Sequence, residues 1–194
     1  MYTLRQQEER EDTTYLALSD FVAPKDSGVT DYVGAFAVSC GFGCHEICEQ
    51  YRKENDDYKG IMMEAIADRL AEAFAELIHA KMRKELWGYA PDATLDHAAL
   101  LKVKYQGLRP APGYPTQPDH TEKNFMWKIL EADKSAGISL TESLAMLPAA
   151  SVSAVVLANE CSTYFQVGKI CKDQVEDYAA RKGMSVGEVE KWMG

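Results

Sequence analysis

Apolar residues recur at every fourth position in the middle of this chain. The members of the repeat are Met62, Ile66, Leu70 and Phe74, continued by Leu77, Ile78 and Met82. Acidic residues stand before the repeat and basic residues follow it, as the helix dipole favours. The pattern predicts one long amphipathic helix from about Asp57 to Trp87, packed against the core through its apolar face.

Shorter helices are predicted further along the chain. One runs from Leu95 to about Tyr105. Another covers residues 120–134 and is opened by Asp119 and Glu122, which have the spacing of a capping box.

Both ends of the chain also carry helical signals. Residues 1–12 are polar and typical of the end of a helix. Two helices are predicted to close the chain, the second announced by Ser185 and Glu188 at capping-box spacing.

Runs rich in β-branched and aromatic residues predict strands at 13–22, 31–40, 151–158 and 163–170. The last two runs are separated by the four residues NECS, which predicts a β-hairpin. Helices and hairpins do not alternate as in βαβ units. We therefore expect an α+β fold with an antiparallel sheet, several helices and one long helix.

Residues 108–115, LRPAPGYP, interrupt this pattern with three prolines and a glycine. Proline is rejected by helix and strand interiors, so this segment is predicted to be a stiff, extended loop. Arg109 presents a planar cation suited to a carboxylate or phosphate, and Tyr114 adds a stacking face. The N–H groups of Ala111 and Gly113 are candidates for reading the edge of a base. A stiff connector that merely carries a surface arginine is the alternative.

Composition narrows the class of protein. The chain has 194 residues, enough for one domain, 46% hydrophobic residues and a net charge of −9. This acidity argues against nucleic-acid and anionic-membrane binding, which need a basic face. No apolar run is long enough for a membrane span and the N-terminus is too polar for a signal peptide. We therefore expect a cytoplasmic protein with reduced cysteines.

Three cysteines stand close together at Cys40, Cys44 and Cys48. Their C-x3-C-x3-C spacing does not match the cysteine loop of radical S-adenosyl-L-methionine enzymes. It does not match a zinc site with a second cysteine pair either. Buried structural thiols are the favoured interpretation, and a metal site is the alternative. P-loop, G-x-S-x-G and Rossmann glycine motifs do not occur.

Several runs of this sequence resemble the activation domain of cobalamin-dependent methionine synthase, which binds S-adenosyl-L-methionine (AdoMet). The resemblance extends from about Leu4 to Trp192. The runs are LSDFVAPKDSG, DYVGAFAV, ADRLAEAFAE, YQGLRPAPGYP, HTEK, LTES, ASVS and KDQVEDYAARKGMSV. It implies an AdoMet-binding fold outside the Rossmann scheme.

The resemblance also implies roles for individual residues. Arg109 is expected to bind the methionyl carboxylate of AdoMet, while Ala111, Gly113 and Tyr114 contact its adenosyl part. Glu72 is expected near the sulfonium, and Tyr164 on the second strand of the hairpin completes the set. No catalytic acid or base and no metal ligand is expected.

The family's role implies the function. The activation domain presents AdoMet to the cobalamin-binding domain, and one electron from flavodoxin or a flavoprotein reductase allows cob(II)alamin to be methylated again. This restores the methyl transfer from methyltetrahydrofolate to homocysteine. The chain alone is not expected to be active. Lys81, Arg83 and Lys84 are the candidate docking patch for the acidic reductase.

Departures from the family pattern leave a second function open. Residues 1–194 are expected to be the activation domain without the family's N-terminal segment, which carries an aspartate that contacts AdoMet. Val103 replaces an acidic residue of some relatives, and Phe165 replaces a second tyrosine. The alternative is therefore a docking module that keeps the fold and partner surface but has an incomplete AdoMet site.

Overall fold

The computed structural model of the chain describes residues 1–7, 14–94 and 96–193. Helices and strands follow one another in no simple repeating order. The helices are α1 (Cys44–Lys53), α2 (Asp57–Lys81), α3 (His97–Leu101), α4 (Glu122–Leu130), α5 (Ala132–Ser135), α6 (Lys172–Lys182) and α7 (Val186–Met193). The strands are β1 (Gly34–Ser39), β2 (Ser139–Leu140), β3 (Met146–Leu147) and β4 (Ser151–Val156).

Contacts between Cα atoms divide the chain into two compact units. Unit 1 consists of residues 1–34, 92–126 and 155–194, and unit 2 of residues 35–91 and 127–154. Each unit is therefore assembled from stretches that are distant in sequence.

The strands form two small sheets. β2 and β3 pair antiparallel, with Ser139 opposite Leu147 and Leu140 opposite Met146. β1 and β4 form the other two-stranded sheet. The predicted α+β class is confirmed, and so is the strand predicted within 31–40.

The long helix is confirmed, but its predicted core face is wrong. α2 covers Asp57–Lys81 and continues as a π-helix over Met82–Leu86. Its buried residues are Gly60, Ala67, Ala71, Ala75 and His79. Five large apolar residues of the four-residue repeat are exposed instead: Met62, Ile66, Leu70, Phe74 and Leu77.

Close packing explains which face of α2 is buried. Ala67 and Ala71 form a core cluster with Cys44 and Cys48 of α1 and with Ala150. Small side chains let the helices approach closely, and close approach buries many atoms at packing density. Cys44 and Cys48 are buried in this cluster, as the interpretation of structural thiols expects, whereas Cys40 is half-buried.

Unit 1 has its own hydrophobic core around α6 and α7. Ser185 and Glu188 form the predicted capping box: the Ser185 N–H donates to Glu188 Oε2 at 2.9 Å, and the Glu188 N–H donates to Ser185 Oγ at 3.3 Å. The core cluster consists of Leu4, Val167, Val175, Tyr178, Ala179 and Val189.

The predicted hairpin is wrong. The first run is strand β4, but residues 163–170 have no regular secondary structure. The Val167 N–H donates to the Pro115 carbonyl at 3.0 Å, and Thr116 Oγ1 donates to the Phe165 carbonyl at 2.6 Å. Hydrogen bonds to the proline loop thus take the place of a ladder with β4.

Two predictions near the N-terminus are also wrong. Residues 14–22 contain a 3₁₀ helix, Leu18–Phe21, instead of a strand, and Thr13 lies outside the described residues. Asp20 favours this turn, because its carboxylate accepts the Ala17 N–H at 2.9 Å. Residues 1–7 are not helical, and residues 8–12 of that predicted helix are not described.

The helix predicted over 120–134 is broken into α4 and α5 by Glu131, whose φ is +46°. Asp119 and Glu122 do not form a capping box, because both carboxylates accept hydrogen bonds from Lys182. The helix predicted from Leu95 is shorter than expected: α3 begins at His97, and Leu95 itself is not described.

Candidate functional site

The proline loop, residues 108–117, is tied to the end of β4 in unit 1. Leu108 and Leu157 exchange both backbone hydrogen bonds at 2.9 Å, and the Val155 N–H donates to the Pro110 carbonyl at 3.0 Å. Beyond this extended part, the Tyr114 N–H donates to Ala111 and the Gln117 N–H to Tyr114, which makes two successive turns. The loop is therefore stiff, as predicted, but extended only at its start.

Arg109 is held in place by two tyrosines. Its backbone N–H donates to Tyr164 Oη at 3.0 Å, and its Nη1 donates to Tyr105 Oη at 3.1 Å. The residue as a whole is half-buried. Because two anchors restrict the side chain and backbone, less ordering entropy is lost when a carboxylate binds.

Gly113 is fixed by backbone conformation and by His120. Its φ is +96°, and a Cβ at this position would lie 2.7 Å from both ring nitrogens of His120. The ring itself is held by Lys123, whose Nζ lies 3.2 Å from His120 Nδ1. Any side chain at position 113 would meet both barriers.

The pKa values of His120 and Lys123 both lie below their ordinary values. Burial, helped by the charge of Lys123, lowers the pKa of His120. Burial also lowers the pKa of Lys123. A neutral His120 therefore accepts a hydrogen bond from Lys123 and supports the loop without adding a second cation.

The two backbone donors predicted in this loop differ. The Gly113 N–H donates to the Gln117 carbonyl at 2.8 Å, so its predicted role as a donor to a ligand is wrong. The turn explains this, because residues 113–117 close on themselves. Within the described residues, no hydrogen bond uses the N–H of Ala111.

Tyr114 and Tyr164 are the aromatic residues predicted for the site. Tyr114 is 61% exposed and Tyr164 is 41% exposed. Tyr164 lies in the irregular segment 163–170 rather than on a hairpin strand, and its hydroxyl accepts the Arg109 N–H. The structure thus brings Tyr164 to the proline loop.

Glu72 and Val103 lie outside the loop. Glu72 is an exposed residue of α2, in unit 2. Val103 has a φ of +53°, an unfavourable conformation for a β-branched residue. Phe165 packs against Phe21, with ring centroids 6.5 Å apart.

Sequence reasoning missed three supporting residues of the loop: Tyr105, His120 and Lys123. Tyr105 precedes Arg109 by four positions outside a helix, a spacing that carries no signal for contact. His120 and Lys123 lie in the run HTEK, which marks the resemblance but gave neither residue a role.

A buried ion network stands next to the loop in unit 1. Lys182 Nζ donates to Asp119, to Thr121 Oγ1 at 2.6 Å and to Glu122 Oε1 at 2.6 Å. Burial alone would raise the pKa of Asp119, but hydrogen bonds from Lys182, Thr121 and Tyr178 outweigh it and lower the pKa. The charged network fixes the segment that follows the loop.

Cys44 and Cys48 of unit 2 line a cavity of about 310 Å³. The Sγ atoms of Cys44 and Cys48 lie 3.9 Å apart, and burial raises the pKa of Cys44. A raised pKa favours the inert thiol over the metal-binding thiolate. Within residues 1–7, 14–94 and 96–193, no group of three or more His, Cys, Asp or Glu residues could hold a metal ion.

The candidate docking patch is corrected at one residue. Arg83 is only 1% exposed, and its Nη2 lies 3.6 Å from Glu76 Oε1. A side chain as buried as this cannot form part of a docking surface. Lys81 and Lys84 are exposed. No described helix is both long and apolar enough to cross a membrane.

The described residues define a small α+β domain built on two-stranded sheets. A family model for the activation domain of vitamin B12-dependent methionine synthase matches residues 1–183. The chain belongs to this family.

A solved relative has the same fold. The crystal structure of the MetH reactivation domain bound to AdoHcy is 52% identical to this chain, with a TM-score of 0.95. The match covers 98% of this chain and 59% of that chain. This chain therefore spans about three fifths of the length of its relative.

Proposed function

We propose that this chain binds AdoMet at the proline loop and presents it for reductive methylation of cob(II)alamin in methionine synthase. The observation that carries this proposal is the half-buried Arg109, whose guanidinium donates to Tyr105 Oη and whose backbone N–H donates to Tyr164 Oη. A relative with 52% identity binds AdoHcy, which supports it. AdoHcy is AdoMet without the transferred methyl group.

Each residue of the loop has a distinct role in this proposal. Arg109 binds the carboxylate of the amino-acid end, since a guanidinium matches a carboxylate in a bidentate geometry. The N–H of Ala111 donates to the adenosyl part. Gly113 lets the ligand approach the backbone, and Tyr114 and Tyr164 offer aromatic faces.

Glu72 is proposed to stabilise the sulfonium by its negative charge. A carboxylate near the positive sulfur lowers the electrostatic energy of AdoMet but not of the uncharged thioether in AdoHcy. Glu72 therefore distinguishes the charged ligand from its demethylated product.

The chemistry is supplied by the ligands and the partner. AdoMet provides a methyl group, and one electron from flavodoxin or a flavoprotein reductase balances its transfer to Co(II), which yields methylcobalamin and AdoHcy. The cobalamin is held by the cobalamin-binding domain of the synthase, in the cytoplasm. The residues of this chain bind and orient AdoMet and need no acid or base.

Calorimetric titration with AdoMet tests the proposal. Arg109→Ala should weaken binding by about 1.5–3 kcal/mol, the range for a charge-assisted hydrogen bond, or roughly 10- to 150-fold. Arg52→Ala is the matched control, because Arg52 is exposed on α1 and pairs with Glu49. Equal affinity of the parent and Arg109→Ala chains would rule out the carboxylate clamp.

Three ligands separate the individual contacts. AdoHcy keeps the carboxylate, so Arg109→Ala should weaken its binding as much as that of AdoMet. Methylthioadenosine lacks the carboxylate, so Arg109→Ala should leave its affinity unchanged. Glu72→Gln should weaken AdoMet more than AdoHcy, because only AdoMet carries the sulfonium charge.

The alternative function is a docking module with an incomplete AdoMet site. Two features favour it: Val103 has a φ of +53° at the position where the resemblance leads us to expect an acidic residue in some relatives, and Phe165 contributes no hydroxyl. Undetectable AdoMet binding by a folded parent chain, with retained binding to the cobalamin-binding domain, would favour this alternative.

A further inference from the structure

Gln117 is a buried residue at the end of the proline loop, and its backbone closes the turn that carries Tyr114. The Gly113 N–H donates to the Gln117 carbonyl and the Gln117 N–H donates to the Tyr114 carbonyl, both at 2.8 Å. Because Tyr114 is 61% exposed, neighbouring side chains cover little of it and the backbone turn decides where its ring points. A shift of Gln117 therefore passes directly to the part of the loop that is proposed to face the adenosyl group.

The side chain of Gln117 ties this turn to the N-terminal segment. Its Nε2 donates to the Tyr2 carbonyl at 2.7 Å. A carbonyl oxygen can only accept a hydrogen bond, so the amide must turn its nitrogen towards Tyr2. Its Oε1 is then buried and has no hydrogen-bond partner among the described residues. The contact with Tyr2 is thus kept although it leaves a buried oxygen unpaired, which costs free energy.

Tyr2 is itself held by the buried ion network next to the loop. Its backbone N–H donates to Glu122 Oε2 at 3.1 Å, and Oε1 of the same carboxylate accepts from Lys182 at 2.6 Å. The ring of Tyr2 meets the ring of Tyr178 edge to face, with centroids 6.2 Å apart. The Tyr2 backbone therefore connects a fixed, buried carboxylate with the amide of Gln117.

We propose that Gln117 is a positioning residue for AdoMet and that Glu122 acts on the site through it. The contacts run from Glu122 through the Tyr2 backbone to Gln117, and from there to the turn that carries Gly113 and Tyr114. Gln117 is 2% exposed and Glu122 is 3% exposed, so both side chains act through the backbone of the loop and not by touching the ligand. This inference rests on the function proposed above, because it concerns the same AdoMet-binding loop.

Hydrogen bonds on the other side of the turn limit the effect of this contact. The Pro115 carbonyl accepts from the Val167 N–H, and Thr116 Oγ1 donates to the Phe165 carbonyl. These bonds remain when the side chain of Gln117 changes, so the turn should loosen without unfolding. The expected loss of AdoMet affinity is that of one neutral hydrogen bond, about 3- to 10-fold.

Replacement by methionine tests the positioning role with a matched control. Gln117→Met removes the amide and keeps an unbranched side chain suited to a buried site. Gln174→Met is the control, because Gln174 is also buried and its Nε2 donates to the Arg5 carbonyl at the same distance of 2.7 Å. The Oε1 of Gln174 likewise has no hydrogen-bond partner within the described part of the chain. The two changes should therefore lower the Tm to a similar extent.

Calorimetric titration separates positioning from stability. Gln117→Met should weaken both AdoMet and methylthioadenosine about 3- to 10-fold, because both contain the adenosyl part that the turn is proposed to face. Gln174→Met should leave both affinities within about 2-fold of the parent, since it has no contact with the turn. If the two variants of a chain that binds AdoMet have equal affinities, the positioning role is overturned.

A double-mutant cycle tests the path from Glu122. Glu122→Gln keeps the size of the side chain but removes one of its two acceptors, and it should also weaken AdoMet binding. In a Gln117→Met background the same change should add less than about 2-fold, because the contact through which it acts is already lost. Losses that multiply independently would refute the path from Glu122 through Gln117.

Amide hydrogen exchange measures the hold of Gln117 on the turn without any ligand. Exchange at the Gly113 N–H should be at least about 3-fold faster in Gln117→Met than in the parent and in Gln174→Met, because its acceptor is the Gln117 carbonyl. Faster exchange in a chain that does not bind AdoMet would support this hold and contradict the proposed function. Unchanged exchange in a chain that binds AdoMet would overturn the positioning role and leave the proposed function intact.

Discussion

Gly113 is the residue at which the geometry of the loop can be tested most directly. Gly113→Ala should lower stability by about 1–3 kcal/mol, because the φ of +96° and the ring of His120 both oppose a Cβ. AdoMet affinity should fall with it. Urea unfolding and titration measure the two effects.

Two comparisons separate strain from collision at this position. Gly187→Ala in α7 has open space around it and should be neutral or slightly stabilising. Adding His120→Ala to Gly113→Ala should recover part of the lost stability, because the collision disappears while the φ strain remains. Full stability in Gly113→Ala alone would contradict the described loop.

At the same scale, sequence reasoning found some residues of the site and missed others. Arg109 and Tyr114 could be predicted from their residue types, because they lie within an unusual proline-rich loop. Tyr105, His120 and Lys123 meet the loop only after folding, because each contact depends on turns that residue types do not specify. A local sequence cannot show which partner a buried histidine finds.

At the scale of elements, the Asp119 network joins the start of α4 to the end of α6. In the folded protein the pKa of the Asp119 carboxyl lies below the ordinary value of 3.8. The ionised network therefore stabilises the fold fully above about pH 4, and this stabilisation is lost as the pH falls through the lower folded pKa. Asp119→Asn should cost about 3–5 kcal/mol at pH 7, since it breaks a buried ion pair. Its stability should then depend less on pH below 4.

Thermal unfolding between pH 3 and 7 measures this effect. Asp177→Asn is the control, because its i,i+4 pair with Arg181 is exposed and should contribute at most about 0.5 kcal/mol. Identical acid sensitivity of Asp119→Asn and the parent would show that Asp119 does not titrate with folding.

The periodicity of apolar residues predicted which helices exist better than it predicted which elements pack against them. The length of α2 follows from its repeat, but a repeat of large apolar residues does not tell which side meets the core. Ala67 and Ala71 carry little apolar signal and still form the packed face. In the same way, the β-rich run 163–170 forms no strand, because residues of the proline loop take part of its hydrogen bonding.

At the scale of the whole molecule, the core of unit 1 joins the beginning of the chain to its last helices. Leu4 is 2% exposed and packs with Val175 of α6 and Val189 of α7. Leu4→Ala should cost about 2–5 kcal/mol, the usual range for a buried leucine. Leu101→Ala, at 73% exposure, should cost much less.

Denaturant unfolding measures the loss of stability in both variants, which carry the same Leu→Ala change at a buried and at an exposed position. The difference between them measures how much the N-terminal residues contribute to unit 1. Equal stability of Leu4→Ala and Leu101→Ala would mean that residues 1–7 do not take part in this core.

The interleaving of the two units has a consequence for synthesis on the ribosome. All residues of unit 2 have been made once Ala154 is added, whereas unit 1 must wait for Val189 before its core can close. At 5–20 residues per second, this interval is roughly 2–7 s. During this time Leu4 and the proline loop have been synthesised, but the later residues that they contact have not all been added.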